Sequence, residues 1–299
     1  MNAAVSLLAD VLPATVHVHA IIPPTHPSAD ILGVERMGSG TVIDSSGLIL
    51  TVSYIVMGAA TIHVTTLDEQ EYDAELVKYD FASGLAVLRV PGVRLPSVPL
   101  RHTRDLERGE PTFAIASVGP GQVRASDGFI TERGKFEATW EYVLDHAVLA
   151  TAMNPGLGGG PLFDRFGQMI GVVSLNLAEI AKFTLAVPVD YFLDAAPRFL
   201  THDGTSTIGT RAWLGLFCHV IEDRVIVAGL MKDGPCDTAG LQPGDIVLAV
   251  DDHELIDRTT LYRHVWQHQP GDAVALRVFR DRGEHEVTVP LGDVAAYFA

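Results

Sequence analysis

Glycines in a row and paired histidines are the residues of this chain that invite chemistry. The densest run is Asn154-Pro155-Gly156-Leu157-Gly158-Gly159-Gly160-Pro161-Leu162-Phe163, and a glycine cluster is the raw material of a phosphate-binding loop. That use fits poorly. No Gly-Lys-Ser/Thr follows, Pro161 lacks the N–H a phosphate cradle needs, and the flanking apolar runs read as strands rather than βαβ units. His17 and His19 lie two apart on an alternating stretch, and His264 and His268 lie four apart on a helical one; either spacing brings two imidazoles to one face, where a metal could sit. A bare strand face and a solvated helix end with a favourable dipole are the weightier readings, so no metal and no cofactor is assigned.

The elements that must position these residues are short strands. The chain has 299 residues, enough for two or three compact units, with 47% hydrophobic residues, 28 glycines and 17 prolines, a composition that suits strands joined by many turns. A formal net charge of −16 disfavours a phosphate-backbone partner, which excludes nucleic acid. Cys218 and Cys236 are too few for a disulfide scaffold and read as two unrelated thiols. No apolar run reaches membrane-spanning length, the N-terminus lacks a basic region, and Asp10 interrupts its hydrophobic stretch. As written the chain reads as soluble and cytoplasmic, or periplasmic if it is a mature fragment.

Along the chain, Asn2 to Leu12 predicts a short helix and Ala14 to Ile21 a strand. Met37 to Asp44 and Gly47 to Thr51 predict a hairpin about Ser45-Ser46-Gly47. Thr61 to Thr66 and Glu71 to Val77 alternate as strands, and Leu85 to Leu88 follows. A second set comprises Pro111 to Ser117, Gly128 to Thr131, Tyr142 to Ala150, Gln168 to Leu175 and Phe183 to Pro188. Asp190 to Phe199 predicts a closing helix, Thr201 to Thr207 a polar linker, and Thr259 to His268 a helix.

Three stretches carry a resemblance to the bacterial HtrA (DegP-like) proteases. Their nucleophile loop reads Asn-Pro-Gly-Asn-Ser-Gly-Gly-Pro-Leu, and Gly158 occupies the serine's place. Their Thr-Asn-Asn-His-Val-Val is matched by Thr51-Val52-Ser53-Tyr54-Ile55-Val56, with Tyr54 at the general base. Their Thr-Asp-Leu-Ala-Val-Leu is matched by Ser83-Gly84-Leu85-Ala86-Val87-Leu88, with Gly84 at the orienting aspartate. Further on, Trp213-Leu214-Gly215-Leu216 resembles the Gly-Leu-Gly-Phe carboxylate-binding loop of PDZ domains, and Ala239-Gly240-Leu241-Gln242-Pro243-Gly244-Asp245-Ile246 resembles their Ala-Gly-Leu-x-x-Gly-Asp-Ile run.

The resemblance implies a mainly β fold: an N-terminal segment 1–11, a trypsin-like double β-barrel over 12–195, a linker 196–208 and a PDZ domain over 209–296. It also implies a pseudoprotease. Hydrolysis needs a nucleophile, a base and a carboxylate to hold that base, and a phenol with a reference pKa of about 10 cannot replace histidine near neutral pH. The oxyanion-hole amides implied are those of Gly156 and Gly158, either retained or lost as the glycine-rich loop relaxes. Ser53, Ser83, His63 and His146 beside Asp145 lie near enough to be weighed as substitutes, but none forms a nucleophile–base pair that the family supports.

In the PDZ-like unit a C-terminal peptide is expected to add a strand beside Phe217 to Val220, its carboxylate on the amides of Leu214, Gly215 and Leu216, with Trp213 about the groove and Leu261 and Val265 core-facing or at the groove floor. Tyr262 and Trp266 share the adjoining helix face. The expected partners are peptide or protein C-termini and an active HtrA-like relative; trimers are common in the family, but the oligomeric state stays open. The alternatives are an active HtrA-type serine endopeptidase of protein quality control and a histidine-based metal-binding module. Tyr54 is also expected to fill the space left by the absent serine.

Overall fold

The computed structural model describes residues 3–177, 183–201 and 203–299. Asn2 of the predicted first helix and His202 of the predicted linker lie outside them. The chain divides into two units, one of Met1–Lys135 with Leu144–Ile208 and one of Phe136–Val143 with Gly209–Ala299.

The first unit opens with the helix Ala3–Val11 and continues into strands β1 (Thr15–Ile21), β2 (Glu35–Asp44), β3 (Leu48–Val52), β4 (Thr61–Thr65), β5 (Glu71–Asp73), β6 (Glu75–Tyr79) and β7 (Leu85–Arg89). They pair antiparallel in the order β5-β4-β1-β2-β3-β7-β6. Glu71 to Val77, expected as a single strand, is two strands, because the Ala74 amide turns aside to the Ile62 carbonyl at 2.9 Å. Strand β3, Leu-Ile-Leu-Thr-Val, is buried on both faces. Its continuous apolar run, rather than an alternating one, reflects that double burial.

Strands β8 (Pro111–Gly119), β9 (Gln122–Glu137), β10 (Val143–Ala150), β11 (Pro161–Asp164), β12 (Met169–Asn176) and β13 (Thr184–Pro188) close into a barrel in the order β10-β13-β12-β11-β8-β9. Ala114, Val148, Leu162, Ile170 and Ala186, each fully buried, fill it. Closure removes the free sheet edges that would otherwise need protection. The helix Asp190–Leu200 runs into the stretch expected as a linker. The rest of that stretch is bonded to β6: the Tyr79 amide donates to Ser206, the Ile208 amide to Tyr79, and the Lys78 ammonium meets Asp203 at 2.7 Å.

The second unit holds β14 (Ala212–Trp213), β15 (Leu216–Ile221), β16 (Arg224–Leu230), β17 (Ile246–Val250), β18 (His253–Glu254), β19 (Ala273–Arg280), β20 (Gly283–Pro290) and β21 (Gly292–Asp293). Its main sheet runs β15-β16-β17-β19-β20, with β18 on β17, and β14 pairs β21. The helix Arg258–Val265 begins at Asp257, whose carboxylate accepts the Thr260 amide at 2.8 Å, an N-cap that satisfies one otherwise orphaned donor. Leu261, Tyr262 and Val265 bury completely among Leu214, Cys218, Cys236 and the sheet. Both cysteines are free and buried.

Candidate functional site

Tyr54 sits on the short helical turn Ser53–Val56 that follows β3, Gly84 on the turn into β7, and Gly158 on the glycine run between β10 and β11. The first two are tied directly, since the Ser53 amide donates to the Gly84 carbonyl at 2.8 Å. Gly84 adopts φ +72°, a left-handed geometry in which a side chain is strained. The neighbouring carboxylate, Asp80, is engaged locally by the amides of Ala82 and Ser83 at 3.1 and 3.0 Å.

The Tyr54 hydroxyl donates to the Ser174 carbonyl at 2.8 Å. A Cβ built on Gly158 would lie 2.3 Å from that same hydroxyl, well inside van der Waals contact. Burial pushes the Tyr54 phenol up to about 12, so it is a neutral donor at physiological pH. The Tyr54 hydroxyl thus occupies the space that a side chain at position 158 would need.

The glycine run is held by close approach on several sides. A Cβ on Gly160 would meet the Ile115 carbonyl oxygen at 2.2 Å, and one on Gly156 the Ser117 carbonyl oxygen at 2.4 Å. The Leu157 amide donates to Ser117 at 2.9 Å, the Gly159 amide to Val173 at 2.7 Å, and the Ser39 amide to the Gly158 carbonyl at 2.6 Å. Of the two amides expected to form an oxyanion hole, that of Gly156 donates to the Asn154 side chain at 3.3 Å.

Beside this loop lies a serine–histidine pair that the sequence did not suggest. His17 Nδ1 is 2.9 Å from Ser117 Oγ, with His17 4% and Ser117 1% exposed. Burial, then the neighbouring His19, lowers the His17 pKa, so the ring stays neutral. Ser117 Oγ also bonds the Gly119 carbonyl at 3.0 Å. His19 pairs instead with Glu35 at 2.9 Å and His63 with Asp73 at 3.0 Å, so the two β1 histidines address different partners. Ser83 is buried and accepts the Leu85 amide at 3.3 Å.

In the second unit, Leu214, Gly215 and Leu216 form the loop into β15, with Gly215 at φ +74°. The Leu214 and Gly215 amides converge on one carboxylate, that of Glu141, at 3.0 and 2.8 Å. Glu141 is 5% exposed. Burial pushes its carboxyl up to about 7 against the opposing pull of Arg211 and the loop amides. The Cys218 amide on β15 donates to the Thr139 carbonyl at 2.6 Å, and Trp140 bridges Phe217 in antiparallel register.

The helix supplies further partners to this segment. Tyr262 donates its hydroxyl to the Thr139 carbonyl at 3.2 Å, Arg258 donates to the Glu137 carbonyl at 3.2 Å, and the Thr259 hydroxyl bonds the Glu137 carboxylate. Leu261 and Val265, expected to face the core or the groove floor, are core residues. The Trp213 ring lies 4.6 Å from that of Tyr297 and packs beside Gly215, where an added Cβ would meet it at 3.1 Å. Glu141, Thr139, Arg211 and Arg258 escaped sequence reasoning, which gives Tyr262 its helix face without the Thr139 partner. The polar tip of Tyr262 on an otherwise apolar helix face was the one available signal.

Asp251, His264 and His268 bring one potential ligand atom each to within 4.8 Å of one another. Both Asp251 oxygens are engaged, Oδ2 by His264 Nε2 at 2.6 Å and Oδ1 by the Ala275 amide at 2.8 Å.

The family model for a trypsin-like peptidase domain matches residues 38–172, and that for a PDZ domain residues 212–291. A probable periplasmic serine endoprotease, DegP-like, of Halomonas elongata is 32% identical over 287 residues, covering 90% of this chain and 60% of the relative. A protein of the same description from Hahella chejuensis is 30% identical over 277 residues, covering 88% and 58%. The chain thus spans about 60% of the length of these relatives. Among solved structures, the HtrA-type protease AlgW with decapeptide superposes with a TM-score of 0.59 at 23% identity, over 97% of this chain and 98% of that one. The serine endoprotease from Yersinia pestis gives 0.58 at 21% identity, over 98% and 99%; these two likenesses speak to the fold. A trypsin-like peptidase domain followed by a PDZ domain, with these relatives, supports the HtrA/DegP-like family for this chain.

Proposed function

We propose that this protein binds the C-termini of peptides or proteins through its PDZ groove and does not hydrolyse them. One observation carries the inactive reading: position 158 has no side chain, and the Tyr54 hydroxyl stands 2.3 Å from where its Cβ would be. Serine-protease chemistry requires a nucleophile, a base near neutral pKa and a carboxylate that orients the base. Here the corresponding positions hold Gly158, a phenol raised to about 12 and a glycine on a left-handed turn. Removing such a triad costs on the order of 10⁶ in kcat. The binding half of the reading is supported by loop amides that already hold a carboxylate and by β15, which already pairs with an added segment; that is how PDZ domains take a chain end. Its setting, by likeness to relatives described as periplasmic, is the periplasm, where a scaffold, chaperone-like binder or inactive subunit of an active relative would work.

A second reading, an active serine endopeptidase, is favoured by the description of the relatives and by the His17–Ser117 pair. That serine is buried and bonded to its own strand's end. Digestion of fluorescent casein by the purified chain separates the two readings. No inhibitor-sensitive turnover above a blank is expected; turnover that Ser117→Ala abolishes would establish the endopeptidase.

A further inference from the structure

The segment Phe136–Val143 belongs with the C-terminal unit, and its geometry there is that of a bound ligand. A peptide taken by strand addition makes main-chain bonds to the exposed edge strand, and its terminal carboxylate rests in a nest of backbone amides. Thr139 and Trp140 supply the first half, through the 2.6 Å bond from the Cys218 amide and the antiparallel bridge to Phe217. Glu141, next in the chain, supplies the second: its side-chain carboxylate accepts the Leu214 amide at 3.0 and 3.2 Å through its two oxygens and the Gly215 amide at 2.8 Å. Arg211 donates to the Glu141 carbonyl at 2.5 Å. Inside the segment, the Ala138 amide bonds the Tyr142 carbonyl and the Tyr142 amide the Trp140 carbonyl, at 2.9 and 2.6 Å, so the chain turns back immediately after the carboxylate has been delivered.

A loop that merely covered the groove would put an apolar side chain over it. Burying a carboxylate is costly unless the partners already exist, and here they are the amides of the loop itself. We propose that residues 136–143 are an internal ligand of the PDZ groove, with the Glu141 side chain standing in for a chain-terminal carboxylate, and that an external C-terminus binds by displacing it. The proposal rests on the reading that this groove takes C-termini. An internal ligand acts at an effective concentration in the millimolar range for a short tether, so the apparent affinity for an outside peptide falls by the fraction of molecules whose groove is open. Only an outside ligand that is abundant or well matched in its last residues would open the site.

The test uses the full chain and a fluorescein-labelled peptide of residues 136–140, which lacks the Glu141 side chain and ends in a free α-carboxylate, with its C-terminally amidated twin as control. Polarisation is read on the wild type, Glu141→Ala and Glu141→Gln, and hydrogen exchange of the Leu214, Gly215 and Cys218 amides is read without peptide. Both variants are expected to bind the free-carboxylate peptide at least tenfold more tightly than the wild type and to ignore the amidated one. Those three amides are expected to exchange at least tenfold more slowly in the wild type than in Glu141→Ala. Equal affinity across the three proteins, or equal exchange, overturns the internal ligand while leaving the groove's use intact. Failure of either variant to bind the free-carboxylate peptide at all overturns the reading of the groove itself and the internal ligand with it.

Discussion

At Gly158 an absent side chain and an intruding one are coupled. The Tyr54 hydroxyl, fixed on the Ser174 carbonyl at 2.8 Å, lies 2.3 Å from a Cβ placed at 158. Gly158→Ala alone is therefore expected to cost about 1–3 kcal/mol, the range for forcing extra volume into a packed site. In a Tyr54→Phe background the ring's terminal carbon is 3.6 Å from that Cβ, so most of the penalty should vanish. A double-mutant cycle by urea denaturation reads the coupling; simple additivity would contradict the geometry.

Glu141 makes a pH prediction. Its carboxyl titrates near 4.5 when free and is pushed up to about 7 by burial, facing Arg211 and the buried thiols Cys218 and Cys236. A raised carboxyl favours the folded form fully below about 4.5, and that contribution is lost as pH climbs through about 7. Wild type should thus lose thermal stability relative to Glu141→Gln between pH 5 and 8; a constant difference in Tm across that range would contradict it.

Among the elements, the glycine run and the helix Arg258–Val265 do the positioning. Asp257→Ala, which removes that helix's cap, is expected to cost about 1 kcal/mol in denaturant unfolding and to loosen the Arg258 and Tyr262 bonds to residues 137–139. No change in stability would show the cap to be idle. Zinc should leave the Tm unchanged, because both Asp251 oxygens are already bonded and hold the turn before β18 against the helix; a rise of several degrees lost in His264→Ala would reveal a metal site instead.

Much at this scale was legible. The glycine run, the β2–β3 hairpin and the PDZ loop are local patterns whose turns and strands the sequence must encode in place. The groove's occupant was not. Glu141 lies 73 residues before Leu214, and Glu-Ala-Thr-Trp-Glu carries no turn or capping signal that would announce a carboxylate bound elsewhere. The His17–Ser117 pair, 100 residues apart, was hidden for the same reason. Leu261 and Val265 read as core or groove floor alike, because helical periodicity gives a shared face but not which neighbour that face meets.

Over the whole molecule, the two units present opposite cases. One unit keeps a peptidase frame whose expected reaction positions hold Tyr54, Gly84 and Gly158; in the other a carboxylate already sits on the groove amides. With 37 acidic against 21 basic residues, the surface repels acidic partners, so neutral or basic peptides ending in a free carboxylate are expected to be captured preferentially from a mixed library, and more so at low salt. Preference for acidic peptides would contradict this. The account's central claim, binding without cutting, meets its most direct test in hydrolysis of fluorescent casein by the purified full chain. It predicts a rate no different from the blank, with or without a serine-protease inhibitor. Turnover above the blank that the inhibitor removes would contradict it.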